Sequence, residues 1–379
     1  TPRTLFPYTT LFRSEGKMNI SIFLGAGASA AENLPIQSDL FVDYFKSLKD
    51  NDFESDMNKE LYKFFKQMFD IDITKDNIDK VNFPTFEEVL GLLDLAEKRG
   101  EAFKNFGMEN LSNKSDSIRF LRQYLILLMA KAIHESENRN NKYHKLLVDN
   151  LSKANLIEKT TFISANYDIH VDNTIASLYS EEKNHIMLDY GVDFTNFYVK
   201  DGWRKPFGKT IKLYKIHGSL NWLYCPICNS LTLTPYEGGV MRLLYNIEDA
   251  KCLECGETTI PIIIPPTYFK DMSNVYISNV WREVEKNLRN ADILVFCGYS
   301  FPDSDIHIKY MLKRVQGSRR KPPLKIMVFN NHEGKKDYSM RKEEERYKRF
   351  LGKDVIYTEG SFQDFSRNPL KYLQEITNI

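Results

Sequence analysis

A short apolar run, Ile20–Leu24, opens straight into Gly25-Ala26-Gly27-Ala28-Ser29-Ala30, and a helix-like segment follows. The spacing fits the Gly-x-Gly-x-x-Ala turn that joins the first strand of a Rossmann-like sheet to its helix. There, glycine lets the backbone turn tightly and approach a pyrophosphate, whose charge the helix N-terminus favours. Small Ala and Ser leave the approach open. An ordinary tight strand-to-helix turn could use the same residues. A nicotinamide dehydrogenase would also want an acidic residue closing a second strand about 20 residues on. Here that stretch is helical in pattern, which counts against a dehydrogenase.

Further β-like runs fall at Thr160–Ser164, Ile211–Ile216, Ile260–Ile264, Ile293–Phe296, Ile326–Phe329 and Asp354–Tyr357, with helical patterns between most of them. This alternation predicts an α/β fold: a Rossmann-like parallel sheet with helices on both faces. The gap between the first two runs is too long for a structureless loop. It holds helical patterns near Asp39–Leu48, Lys59–Phe69, Phe86–Lys98, Ser117–Ser136 and Lys142–Leu151, and Thr85 with Glu88 forms a capping box. The expectation is one domain over residues 18–379 with a helical insertion over 39–155 and a small zinc-ribbon insertion over 222–261.

Leu5–Ser14 matches the translation of a common sequencing-adaptor oligonucleotide, so residues 1–17 are expected to be an artefact and Met18 the start. Lys+Arg 52 against Asp+Glu 51 leaves no global field to draw the chain onto nucleic acid. The basic group Lys313, Arg314, Arg319, Arg320 and Lys321 reads as a solvated helix end and loop. No apolar run approaches the ~20 residues of a membrane helix, and a cytoplasmic protein is expected.

Two motifs follow the second and third runs. Asn166 and Asp168 lie just past Thr160–Ser164, and His217 lies just past Ile211–Ile216. Ligands of an open parallel sheet bind beyond the carboxyl ends of its strands, so these residues should share a crevice with Gly25–Ser29. Asn offers a donor and an acceptor, and His is suited to proton transfer near neutral pH. Taken singly, an Asn-x-Asp is a turn or a cap, and a His is a hydrogen-bonded structural residue; their common placement favours a site. His170, His307 and His332 lack it and read as structural or surface. Cys225, Cys228, Cys252 and Cys255 form two Cys-x-x-Cys knuckles, which together make a closed, structural zinc site. Cys297 sits in an apolar run and reads as core.

Glycine turn, Asn-x-Asp, His-Gly and four-thiol site, in that order, resemble the sirtuin family. The resemblance implies that Gly25, Ala26, Gly27 and Ser29 hold the phosphates of NAD, that Asn166 and Asp168 hold the nicotinamide ribose region, and that His217 is the base. It further implies that Gly298 and Ser300 contact the cofactor and that Asn330 lies near the adenosine. Where protein-deacylating sirtuins carry Pro-Asp-Phe-Arg, this chain has Leu34-Pro35-Ile36-Gln37. Past the zinc module it has Ile262–Phe269 with two prolines, poor material for pairing a peptide as an added strand. Gly298–Asp305 and Pro84–Glu88 look instead like the sirtuin-like NAD hydrolases of bacterial antiphage defence. That likeness implies NAD cleavage to nicotinamide and ADP-ribose, a homo-oligomer and a HerA-type ATPase partner. An NAD-dependent deacylase and a non-catalytic NAD or ADP-ribose sensor are the alternatives.

Overall fold

The computed structural model describes residues 18–49, 53, 55–106, 118–137, 142–178, 188–197, 201–202, 210–234, 251–264, 274–332, 335 and 337–378. The adaptor-like stretch 1–17 and residues 265–269 lie outside these. Two compact units hold the described residues: one those of 1–32, 140–219 and 272–379, the other those of 33–139 and 220–271.

The first unit begins with β1 (Ile20–Leu24), α1 (Ala26–Ala30), α2 (Lys142–Lys153), β2 (Thr160–Ser164), α3 (His170–Leu178), β3 (Leu188–Asp189) and β4 (Ile211–Lys215). It continues through α4 (Val275–Asn290), β5 (Ile293–Cys297), α5 (Ile306–Ser318), β6 (Lys325–Phe329), α6 (Asp337–Leu351), β7 (Ile356–Tyr357), α7 (Phe362–Arg367) and α8 (Pro369–Thr377). The seven strands form one sheet in the order β7-β6-β5-β1-β2-β4-β3. Every pair is parallel, with Ile22 beside Val295 on one side and Phe162 on the other. β1, β2 and β5 are buried along their whole lengths, as expected for a parallel sheet flanked by helices. α4 shows how a flanking helix is specified. Ile277, Val280, Val284 and Leu288 recur at helical spacing and are buried, and the Asn274 side chain accepts from the N–H groups of Tyr276 and Ile277 to cap the N-terminus.

The chain steps outward from β1 through β2 to β4, then returns to the other side of β1 at β5 and continues to β6 and β7. Leaving aside the two-residue edge strand β3, this is the Rossmann order 3-2-1-4-5-6, whose reversal at β1 opens a crevice at the carboxyl ends of the central strands.

In the second unit run the helices Leu40–Ser47, Asp56–Phe69, Phe86–Arg99 and Ile118–Glu137. The Thr85–Glu88 box closes in both directions, and Gly100 ends that helix in the left-handed region at φ 66°. Phe41, Phe45, Phe65 and Phe86 fill the core between them. One strand departs from expectation. Ile260–Ile263 is not in the parallel sheet but pairs at an edge beside Gly218–Tyr224, which also pairs antiparallel with Leu231–Leu233. Pro261 explains the edge position, because it has no N–H for a second neighbour.

Candidate functional site

Two turns interlock at the crevice. The Gly25 N–H donates to Cys297 O at 2.9 Å, the Gly27 N–H to Gly298 O at 2.8 Å, and the Gly298 N–H to Phe329 O at 2.8 Å. These contacts leave no room for side chains. A Cβ on Gly25 would lie 2.6 Å from Gly298 O, and one on Gly298 would lie 2.1 Å from Ala28 N. Gly298 is also left-handed, at φ 63°. The glycines are therefore required by backbone packed on backbone, and the N–H groups of Gly25 and Gly27 are already spent. Ala26 is the exposed residue at the tip, and Gly27 is half-buried.

The Asn-x-Asp loop meets that turn. Asn166 Nδ2 donates to Gly25 O at 2.8 Å and to Ser29 Oγ at 2.7 Å. The Ser29 hydroxyl passes its own proton toward Asp168 Oδ2 at 2.5 Å. Both Nδ2 hydrogens of Asn166 are thus committed, so toward a ligand this half-buried side chain offers Oδ1, an acceptor. Ser29 belongs to this network rather than to the outer face of the turn. Asp168 is buried, and its Oδ1 accepts from the His170 N–H at 3.2 Å.

His217 sits in the tight turn after β4, before Gly218, whose φ is 83°. Its Nδ1 donates to Ala165 O at 3.1 Å, so in the neutral imidazole the lone pair is on Nε2, a buried atom. The rings of Tyr167 and Trp281 stand 6.4 and 6.5 Å from the imidazole. Trp281 is fixed by its indole N–H, which donates to Ile216 O at 2.8 Å.

Beneath the loop lies a buried ionisable cluster, Glu32, His144, His170, Asp172 and Lys215, of which the sequence analysis names only His170, as a structural or surface residue. Glu32 accepts from the N–H groups of Lys142, Tyr143 and His144, capping α2. The His144 and His170 rings stack at 5.6 Å. Burial alone would push the Asp168 carboxyl up, but His170, Lys215, His144 and the Ser29 hydroxyl outweigh it and hold it below the ordinary carboxylate range. Burial likewise opposes the charge on Glu32, and His144 with the capped N–H groups holds that carboxyl down. Burial dominates at His170 and lowers its imidazole against the pull of Asp168.

Of the remaining predicted residues, Ser300 is exposed beside the interlocked turns. Asn330 is turned inward: its Nδ2 donates to Tyr299 O at 3.1 Å and to the Glu343 carboxylate. It props the Gly298–Tyr299 turn from below.

In the second unit the four cysteines converge, all Sγ atoms lying within 4.8 Å of one another. Cys225 to Cys255 and Cys228 to Cys252 are each 3.5 Å apart. Tetrahedral zinc with Zn–S of about 2.3 Å sets sulfur atoms about 3.8 Å apart, so the donor set fits that ion. The knuckles repeat one design. The Asn229 N–H donates to Cys225 O and the Gly256 N–H to Cys252 O, and Asn229 and Gly256 are both left-handed.

A family model described as a domain of unknown function, DUF4917, matches residues 22–357. The chain belongs to the DUF4917 family. The matched span of this DUF4917 chain contains the Asn166–Asp168 loop, His217, the interlocked glycine turns after their first strand residues, and both cysteine knuckles. No curated protein matches it. Among solved structures it is similar to Sir2 with the inhibitor EX-527, 2'-O-acetyl-ADP-ribose and a deacetylated p53 peptide, at 13% identity over 94% of each chain and a TM-score of 0.39. It is also similar to Sir2 with a p53 peptide and NAD+, at 13% identity over 94% of each chain and a TM-score of 0.38. A third is Sir2Tm bound to a propionylated peptide, at 13% identity over 94% of this chain and 93% of that one and a TM-score of 0.39.

Proposed function

We propose that this protein hydrolyses NAD to nicotinamide and ADP-ribose. The observation that carries the reading is the meeting of Asn166, Ser29, Asp168 and His217 at the carboxyl ends of β1, β2 and β4, where a Rossmann order places a dinucleotide. The pyrophosphate lies along the exposed Ala26 edge of the turn. Asn166 Oδ1 accepts from a ribose hydroxyl or from the attacking water. As the C1'–N glycosidic bond breaks, its electron pair leaves with nicotinamide. The water oxygen bonds to C1', and its proton goes to His217 Nε2. Asp168, ionised and buried, favours the positive charge that builds on the ribose. Gly298 and Ser300 border the cofactor, and Asn330 acts through the turn it supports.

The convergence of Cys225, Cys228, Cys252 and Cys255 supports a structural zinc there, and the likeness to the sirtuin-like NAD hydrolases of antiphage defence supports a cytoplasmic antiphage effector, a homo-oligomer and a HerA-type ATPase as partner. Light scattering on the purified chain, alone and co-expressed with such an ATPase, tests the assembly claims; a monomer that ignores the ATPase overturns them.

The decisive experiment is residues 18–379 with NAD, with and without an acetyl-lysine peptide, following nicotinamide and ADP-ribose by chromatography. Peptide-independent release of both, reduced about 10²–10⁴-fold in His217→Ala, is the expected result. Release only with peptide, together with an acetylated ADP-ribose, selects the deacylase. Tight NAD binding without turnover selects the sensor.

A further inference from the structure

Lys215 closes β4 with no exposed surface. A lysine is almost never fully buried unless it is paired. Its ammonium donates to the main-chain oxygen of Asp168 and lies 3.4 Å from Asp172 Oδ2. Asp172 is held on its other oxygen by the Tyr190 hydroxyl at 2.7 Å. We propose that Lys215 is the positioning residue of the Asn166–Asp168 loop, gripping the backbone of Asp168 while Ser29 grips its side chain.

Residues 165–169 belong to no helix or strand. Their backbone is tied to β1 through Ala165 N–H to Leu24 O at 3.0 Å. Three residues further on, Asp168 is fixed at both ends: its carbonyl by Lys215, and its carboxylate by Ser29 and the His170 N–H. Asn166 lies between these anchors, and its amide is aimed by the same Ser29 oxygen. Removing the ammonium frees the Asp168 peptide and leaves the Asp172 carboxylate beside Tyr190 without its cation, a costly state in a buried cluster. The groups facing Asp168 are Ser29 of α1, His144 of α2, His170 of α3 and Lys215 of β4, with Glu32 behind His144 and Asp172 of α3 on the far side of the Lys215 ammonium. Lys215 favours the ionised carboxylate and opposes a charge on His170. Loss of the cation therefore raises the titration of both groups.

The positioning role rests on the catalytic reading of the loop; the electrostatic link does not, and the test separates them. Lys215→Met and Lys215→Arg are compared with wild type in nicotinamide release across pH, and His170 is titrated by NMR with labelled histidine. In Lys215→Met, kcat falls about 10²-fold, the scale of a misplaced catalytic group. KM moves far less, the acid limb of the profile shifts to higher pH, and His170 titrates at higher pH. Lys215→Arg restores the charge and keeps both titrations near wild type. Wild-type kcat in Lys215→Met overturns the positioning role, and an unmoved His170 overturns the electrostatic link. A wild type that releases no nicotinamide sinks the hydrolase reading, and His170 then decides the role of Lys215 alone. If Lys215→Met does not fold, Tyr190→Phe loosens Asp172 from the far end. It should lower kcat several-fold, and an unchanged kcat there also overturns the proposal.

Discussion

Gly298→Ala is the sharpest test of how the site is built. The new Cβ would stand 2.1 Å from Ala28 N and 2.3 Å from Gly27 C. Both are backbone atoms, so no side-chain rotation relieves the clash. Forcing a non-glycine residue into the left-handed region costs about 1–2 kcal/mol. Overpacking a closed contact adds about 1–3 kcal/mol. The sum, about 2–5 kcal/mol, is a large fraction of the roughly 5–15 kcal/mol that holds a typical protein folded. Gly91→Ala supplies a control of opposite sign. Gly91 lies inside the helix Phe86–Arg99 and a Cβ there meets nothing within 4 Å, so alanine should stabilise by roughly 0.5–1 kcal/mol. Urea unfolding followed by circular dichroism reads both. Gly298→Ala must lower the midpoint sharply and Gly91→Ala must raise it. A Gly298→Ala protein that unfolds with the wild type would refute the interlocked-turn account.

Two further outcomes follow from the ionisable groups and the thiols. Asp168 and Glu32 titrate below their ordinary values, so the stability they contribute is complete above about pH 4 and is lost as pH falls through their folded values. His170, also lowered, makes the loss begin earlier, as pH drops through about 6.5. Urea midpoints across this range should fall in two stages, and Glu32→Gln should flatten the lower one; an identical pH dependence in that variant contradicts the assignment. Cys252→Ser, or a strong zinc chelator, should remove one zinc per chain by elemental analysis and lower the melting temperature. A metal-free wild type of unchanged stability speaks against a structural ion.

Much of the architecture was legible because the signals were long or chemically specific. The apolar strands, the Thr85–Glu88 box and the paired cysteines each state their structure locally. The two-residue strands β3 and β7 carry little periodicity to read, and of these only the second, within Asp354–Tyr357, was anticipated. The hairpin strands Gly218–Tyr224 and Leu231–Leu233 were missed, the first because the run Ile211–Ile216 masks the turn at His217. Ile260–Ile263 reads like any other strand, and only its proline hinted at an edge. Lys215 went unnoticed as one cation inside a strand pattern, since its meaning comes from Asp168 and Asp172 on another part of the chain. The sirtuin resemblance puts Ser29 among the phosphate contacts, and motif spacing carries no sign of the Asp168 carboxylate that its hydroxyl faces.

The glycine turn joins two demands that sequence cannot separate: close approach of a ligand and close approach of another backbone. The structure gives the second a full account, since Gly298 and Tyr299 leave no space for a side chain at Gly25 and Gly298 leaves none at Gly27. The motif therefore argues for the fold first. Its case for a pyrophosphate reduces to the exposed tip, Ala26. Ala26→Leu isolates that case. Leucine has nearly alanine's helix propensity, and an exposed change of this kind alters stability by less than about 0.5 kcal/mol. The longer side chain would cover the edge along which the phosphates are proposed to lie. The unfolding midpoint should stay put while the KM for NAD rises at least tenfold, a loss of about 1.4 kcal/mol of binding. An unchanged KM would confine the glycines to the packing of two turns and leave the dinucleotide reading to Asn166 and His217 alone.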